Sequence, residues 1–251
     1  MSKLSMVGVL YFVILVFTGL ALPITIASAT EIDDLIDEVR PAIVCIYCQD
    51  IDGDSIQGSG VIVSANGVVV TSAHVVDEAV AISVYYYDIS SGDLMETVAE
   101  VASVNLIYDL ALVDIPGDFV PADVDHLFQP RLGDRVVTAS FPASTVMGIQ
   151  DIFVAQGSII GFMADADQTR SCSIVVDAAI GLGSSGGGLF NTAGELMGII
   201  YGKGSGGIEG MNFVLPIYDI YVWSGTSPEL GIGYAIDTIL EFPPGINLLV
   251  N

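Results

Sequence analysis

From Ile43 onward the chain runs as short stretches rich in Val, Ile and Tyr, each closed by Gly, Asp, Asn or Ser, and this rhythm restricts its fold more than any other feature. The stretches are Ile43 to Tyr47, Gly60 to Ser64, Val68 to Thr71, Ala81 to Tyr87 and Leu110 to Ile115, then Arg135 to Ala139, Ser158 to Phe162, Ile174 to Asp177, Leu196 to Tyr201 and Met211 to Leu215. Regularly spaced strands without long helices between them point to antiparallel barrels or a sandwich. The acidic, proline-containing stretch 116–130 is the natural seam between two β halves. Asn66-Gly67 predicts a hairpin turn, because both residues accept positive φ. Ahead of the strands, Thr30-Glu31-Ile32-Asp33 reads as a helix start, and Ile32, Leu35, Ile36 and Val39 recur at helical spacing until Pro41 stops the run.

The chain has 251 residues, with 30 Asp and Glu against 6 Lys and Arg, a net charge of -24 and 52% hydrophobic residues. That apolar fraction excludes a disordered acidic tail. Four arginines and two lysines cannot neutralise a run of phosphates, which excludes nucleic-acid binding. The acidity fits a salt-rich habitat or an ordinary acidic secreted protein, and it names no substrate.

After Lys3 no charged residue occurs until Glu31, and the apolar stretch from Met6 to Leu22 is followed by Ala27-Ser28-Ala29. Residues 1–29 therefore read as a signal peptide cleaved after Ala29, or as a membrane anchor through residues 6–29. Either way the rest of the chain is expected to be exported, to the cell surface or beyond. Of three cysteines, Cys45 and Cys48 fall in a strand pattern, where residues three apart point to opposite faces. A zinc site would need further ligands, with only His126 spare, so they read as buried structural cysteines, a bridge from one of them to Cys172 staying open. No metal or other cofactor is expected.

Only two histidines are present, and His126 lies in the acidic seam without a motif. His74 ends the run Val68-Val69-Val70-Thr71-Ser72-Ala73, Asp109 precedes the apolar run Leu110 to Val113, and Ser185 sits in Gly181-Leu182-Gly183-Ser184-Ser185-Gly186-Gly187-Gly188. A serine hydroxyl is a weak nucleophile until a base takes its proton, and the base must be oriented by an acceptor on its other nitrogen. His74, Asp109 and Ser185 supply those three roles in the order His, Asp, Ser. The pattern Gly183-x-Ser185-x-Gly187 also satisfies the nucleophile elbow of α/β-hydrolases, but those place the histidine after the serine, and none follows Ser185 here. The subtilisin order starts with Asp, no Ser-x-x-Lys motif places Lys203 as a base, and the metalloprotease motif His-Glu-x-x-His is absent.

With these residues in view, the chain resembles the HtrA/Deg branch of the trypsin-like serine proteases over roughly Glu31 to Pro216. The resemblance rests on Gly58 to Ser64, Asn66-Gly67, Thr71 to Val76, Asp109 to Leu112, Arg131 to Asp134, Asp177 to Gly187 and Asn212 to Pro216. It implies an all-β fold of two antiparallel six-stranded Greek-key barrels with a short N-terminal helix. The implied protease domain covers 30–222, with barrel one at about 41–118 and barrel two at about 130–222, leaving 223–251 as a C-terminal tail of unassigned role and no room for the PDZ domain that commonly follows. It also implies catalytic His74, Asp109 and Ser185, oxyanion donors from the backbones of Gly183 and Ser185, and a substrate pocket formed by Ala179, Ile180, Tyr201 and Gly202. Polypeptide substrates, a protein quality-control role and a homo-oligomer fit the same resemblance. Ser184 and Gly188 depart from the family's Asn and Pro, which is expected to loosen the oxyanion loop. The competing reading is a catalytically inactive protease-like binding or chaperone protein.

Overall fold

In the computed structural model the described residues are 30–124, 130–141, 151–163, 173–204 and 210–217. The expectations placed on residues 1–29, His126, Cys172 and 223–251 lie outside them. Helix α1 (Thr30–Val39) and a 3-10 turn (Arg40–Ala42) with Pro41 at its start precede the strands, as the helical spacing predicts. Leu35 and Val39 of that helix are buried.

Seven strands form the first sheet: β1 (Ile43–Gln49), β2 (Ser55–Ile62), β3 (Val68–Ser72), β4 (Ala81–Tyr87), β5 (Leu94–Val98), β6 (Glu100–Asn105) and β7 (Leu110–Asp114). Their order is β5-β4-β1-β2-β3-β7-β6, every pair antiparallel. Alternate side chains of β1 enter one core, where Val44, Ile46 and Cys48 pack with Ile62, Val69 and Val113. Cys45, one residue out of phase, is buried on the opposite side, opposite Ser59 and Tyr85 in the ladders. This is the face alternation predicted for the two cysteines.

Six strands close the second barrel: β8 (Arg135–Ser140), β9 (Phe153–Met163), β10 (Ser173–Val176), β11 (Gly188–Asn191), β12 (Leu196–Lys203) and β13 (Asn212–Pro216), in the order β10-β13-β12-β11-β8-β9. Val136, Ile159, Ile174, Leu189, Met197, Ile200 and Val214 fill it. The segment after β7 is tied to both halves: Ala122 N donates to Ile62 O at 2.9 Å and Leu196 N to Asp123 O at 2.7 Å.

Three strands escape the sequence pattern. β5 and β6 are largely exposed edge strands carrying Glu, Thr, Ser and Asn, so they lack an apolar run. β11 starts inside the glycine loop. The turn at Asn66-Gly67 also differs in kind from the expected one. Gly67 alone has positive φ, at 93°, in a loop closed by Gly67 N to Ser64 O at 3.2 Å and Val63 N to Val68 O at 2.8 Å.

Candidate active site

Pairing of β3 with β7 sets Ser72 opposite Leu110, so the next residue on one strand and the preceding one on the other, Ala73 and Asp109, meet at the sheet end. Ala73 N donates to Asp109 O at 3.0 Å. The chain then enters the single-turn helix α2 (Ala73–Val76), which presents His74. Asp109 receives two hydrogen bonds from His74: the backbone N–H reaches Oδ1 at 2.9 Å, and Nδ1 reaches Oδ2 at 2.8 Å. With φ at 54°, Asp109 is the one non-glycine residue at positive φ among the described residues. Such a conformation costs about 1–3 kcal/mol and persists where surrounding contacts enforce it.

The hydrogen bond to Asp109 raises the His74 pKa above the ordinary 6.5; burial opposes the rise and the Asp109 charge reinforces it. A histidine held by Nδ1 in this way presents Nε2 outward as a base.

Ser185 lies in the loop from Asp177 to Gly187 that joins β10 to β11. Gly186 N donates to Ile200 O at 2.7 Å and Ile200 N to Gly187 O at 2.8 Å, which fastens the loop to β12 just before Tyr201 and Gly202. Ser59 N donates to Ser185 O at 2.7 Å, which fastens it to the first sheet as well. Gly58 is the spacer between the two halves of the site. A Cβ there would stand 2.5 Å from Val75, the neighbour of His74, and 3.2 Å from Ser185 O. The structure thus brings His74, Asp109 and the Ser185 loop to one edge. A hydrogen bond between Ser185 Oγ and His74 is not among those made by the described residues, and in substrate-free sites such bonds are often long.

Around Ser185 the backbone turns with Gly183 at φ 85° and Gly186 at φ 87°. The N–H groups of Gly183 and Ser185 donate to no protein acceptor among the described residues. Two unsatisfied donors flanking one residue can receive a developing oxyanion. Ser184, expected to loosen this loop, is buried and bonded twice: Ser140 Oγ lies 2.9 Å from its hydroxyl and Gly181 N donates to it at 3.1 Å. Gly188 leaves space for Phe190, whose ring would lie 2.4 Å from a Cβ at that position.

Of the residues expected to form the substrate pocket, Ala179 is exposed, with its carbonyl 3.3 Å from Thr138 Oγ1, and Ile180 is half-buried against the second core. Tyr201 is pinned by a 2.8 Å hydrogen bond between its hydroxyl and Ser173 Oγ, and Gly202 pairs with Phe213. Ser59, which the sequence offers only as part of the motif Gly58 to Ser64, and Ser140 receive no role from the sequence, because only the tertiary structure reveals the partners of a serine inside a strand.

A closed six-stranded antiparallel barrel beside a curled antiparallel sheet, with His74, Asp109 and Ser185 at their junction, defines the trypsin-like class. Residues 58–199 match the trypsin-like peptidase domain family. Serine endoprotease DegS of Haemophilus influenzae is 33% identical over 193 residues, covering 70% of this chain and 54% of its own length. Serine protease Do-like HtrA of Bacillus subtilis is 28% identical over 218 residues, covering 77% and 47% respectively. Among solved structures, the HtrA-type protease AlgW with a tripeptide aligns with a TM-score of 0.67 and 28% identity, over 77% of this chain and 62% of that one. Deg5 aligns with a TM-score of 0.66 over 79% and 95%, and at 19% identity shares the fold. The chain belongs to the trypsin-like peptidase family, in its HtrA/Deg-type branch. It spans about half the length of the first two relatives named above.

Proposed function

We propose that this chain is an exported serine endopeptidase that acts on polypeptides in protein quality control. The observation that carries the reading is the double hydrogen bond from His74 to Asp109, accepted by a carboxylate whose backbone is held at positive φ. In the proposed reaction Ser185 Oγ attacks the peptide carbonyl while His74 Nε2 takes its proton. The oxyanion forms toward the N–H groups of Gly183 and Ser185. Asp109 stabilises the imidazolium, which then returns the proton to the leaving amine. A water, deprotonated by the same histidine, hydrolyses the acyl-enzyme. Each oxyanion donor is worth about 10²–10³ in rate.

Support for export comes from the uncharged N-terminal stretch and from relatives such as the probable periplasmic serine endoprotease DegP-like of Chlamydia trachomatis, 31% identical over 170 residues. No helix among the described residues is long and apolar enough to cross a membrane. N-terminal sequencing of the protein recovered from an exporting host decides between cleavage after Ala29 and retention of 1–29 as an anchor.

A fluorophosphonate probe tests the chemistry. The purified chain is expected to be labelled on Ser185, and Ser185→Ala is expected to lose labelling and peptide hydrolysis by several orders of magnitude with its fold intact. A chain that binds unfolded polypeptide but neither labels nor cleaves would instead be an inactive, chaperone-like relative.

A further inference from the structure

On the proteolytic reading above, we propose that Ser59 is a positioning residue that holds the turn bearing the oxyanion donors, with Ser140 gripping the same turn from the second barrel. Ser59 is fully buried on β2. Its hydroxyl accepts Phe141 N at 2.8 Å and lies 2.7 Å from Gly183 O, nearer than the 3.2 Å to Phe141 O, so the single proton goes to Gly183. Its backbone N–H donates to Ser185 O at 2.7 Å. These two contacts fall on either side of Ser184, so one strand residue sets the turn both before and at the nucleophile. The carbonyl of Ser59 in turn accepts Thr71 Oγ1 at 2.6 Å, three residues before His74. One residue thereby registers the strand carrying the base against the turn carrying the nucleophile.

Ser140 acts from the other side. It ends β8, is buried, and its hydroxyl meets that of Ser184 at 2.9 Å, while Ser184 Oγ also caps Gly181 N. A turn built from Gly181, Gly183, Gly186 and Gly187 has little stiffness of its own, because glycine loses the most freedom on being ordered. Oxyanion stabilisation depends on donors fixed before the charge develops, and a displacement of about 1 Å can cost roughly 10²-fold in rate. Buried hydroxyls hydrogen-bonded to the turn are the external reference it requires.

The test uses Ser59→Ala and Ser140→Ala in the full chain, a valine peptide amide substrate, and a peptide boronate that forms a tetrahedral adduct on Ser185. Ser59→Ala is expected to lower kcat at least about tenfold with KM within about twofold. Boronate affinity should fall by the same factor as kcat/KM. Ser140→Ala should shift kcat and boronate affinity in the same direction by less, since the bond from Gly181 N to Ser184 remains. A merely structural role would change thermal stability and leave kcat and boronate affinity per titrated active site untouched, and that result, or a change in KM alone, overturns the proposal. If Ser59→Ala does not fold, Ser140→Ala decides by the same two readouts. Fluorophosphonate labelling of the unmodified chain is measured first. Failure there overturns the proteolytic reading and this role with it, whereas labelling with Ser59→Ala unchanged overturns only the positioning role.

Discussion

Asp177 Oδ1 accepts the backbone N–H of Ser158 at 2.6 Å, so the acid nearest the proposed pocket is held toward strand β9. Ala179 and Ile180, beyond it in the loop, offer no carboxylate. A substrate Arg or Lys bound against them would find no carboxylate partner, and an unpaired charge taken out of water is disfavoured. The expected specificity is cleavage after small or medium aliphatic residues, with a Val peptide preferred over its Arg counterpart by at least about tenfold in kcat/KM. The acidic surface speeds encounter with cationic chains without altering this. Matched peptides differing only at that residue provide the measurement, and an Arg preference would show that Asp177 leaves Ser158 to line the pocket.

The base must be neutral to accept a proton, so activity should rise as pH passes through the His74 pKa. Because the Asp109 hydrogen bond raises that pKa, the midpoint of the acid limb should lie above 6.5. Asp109→Asn should lower it and cut kcat by about 10⁴. The stability sign follows from the same shift. The charged pair contributes fully below the unfolded-state pKa, and the contribution disappears as pH rises through the folded one. NMR titration of the His74 ring in both proteins checks the shift, and equal midpoints would refute the proposed pairing.

Gly186 and Gly53 share a φ of 87° but differ in their surroundings. A Cβ on Gly186 would stand 2.0 Å from Ser59 O and 2.3 Å from Thr71 Oγ1, while nothing lies within 4 Å of one on Gly53. Gly53→Ala should cost only the left-handed backbone penalty of about 1–2 kcal/mol and leave kcat unchanged. Gly186→Ala should add about 1–3 kcal/mol of steric strain and slow fluorophosphonate labelling of Ser185. Chemical denaturation and labelling rates of the two variants test the contrast, which equal behaviour would abolish.

Cys48 is buried in the first core, and that burial, with Cys45 beside it, pushes its thiol up to about 12. The thiolate, which is the reactive form, is correspondingly scarce at pH 8, even before access is considered. Iodoacetamide should therefore label Cys48 only at the rate of unfolding, as read by mass spectrometry of the peptide. Labelling within minutes in native buffer would contradict its place in the core.

The amino-acid sequence by itself determined the β class, the opposite facing of Cys45 and Cys48, and the proposed roles of His74, Asp109 and Ser185. Each of these follows from local periodicity or from the chemistry of a few residue types in a given order. Only the tertiary structure decided that Asp109 sits at positive φ with both oxygens on His74, that Asp177 turns to Ser158, and that Ser184 is hydrogen-bonded to Ser140 and to Gly181 N. It also revealed β5 and β6, whose exposed residues leave no apolar signature. Ser59 meets partners 82 and 124 residues away along the chain. Such contacts exist once the strands have closed on one another. Periodicity reports which face of a strand is buried, whereas the partner of a buried hydroxyl is chosen by the register and closure of strands far apart in sequence.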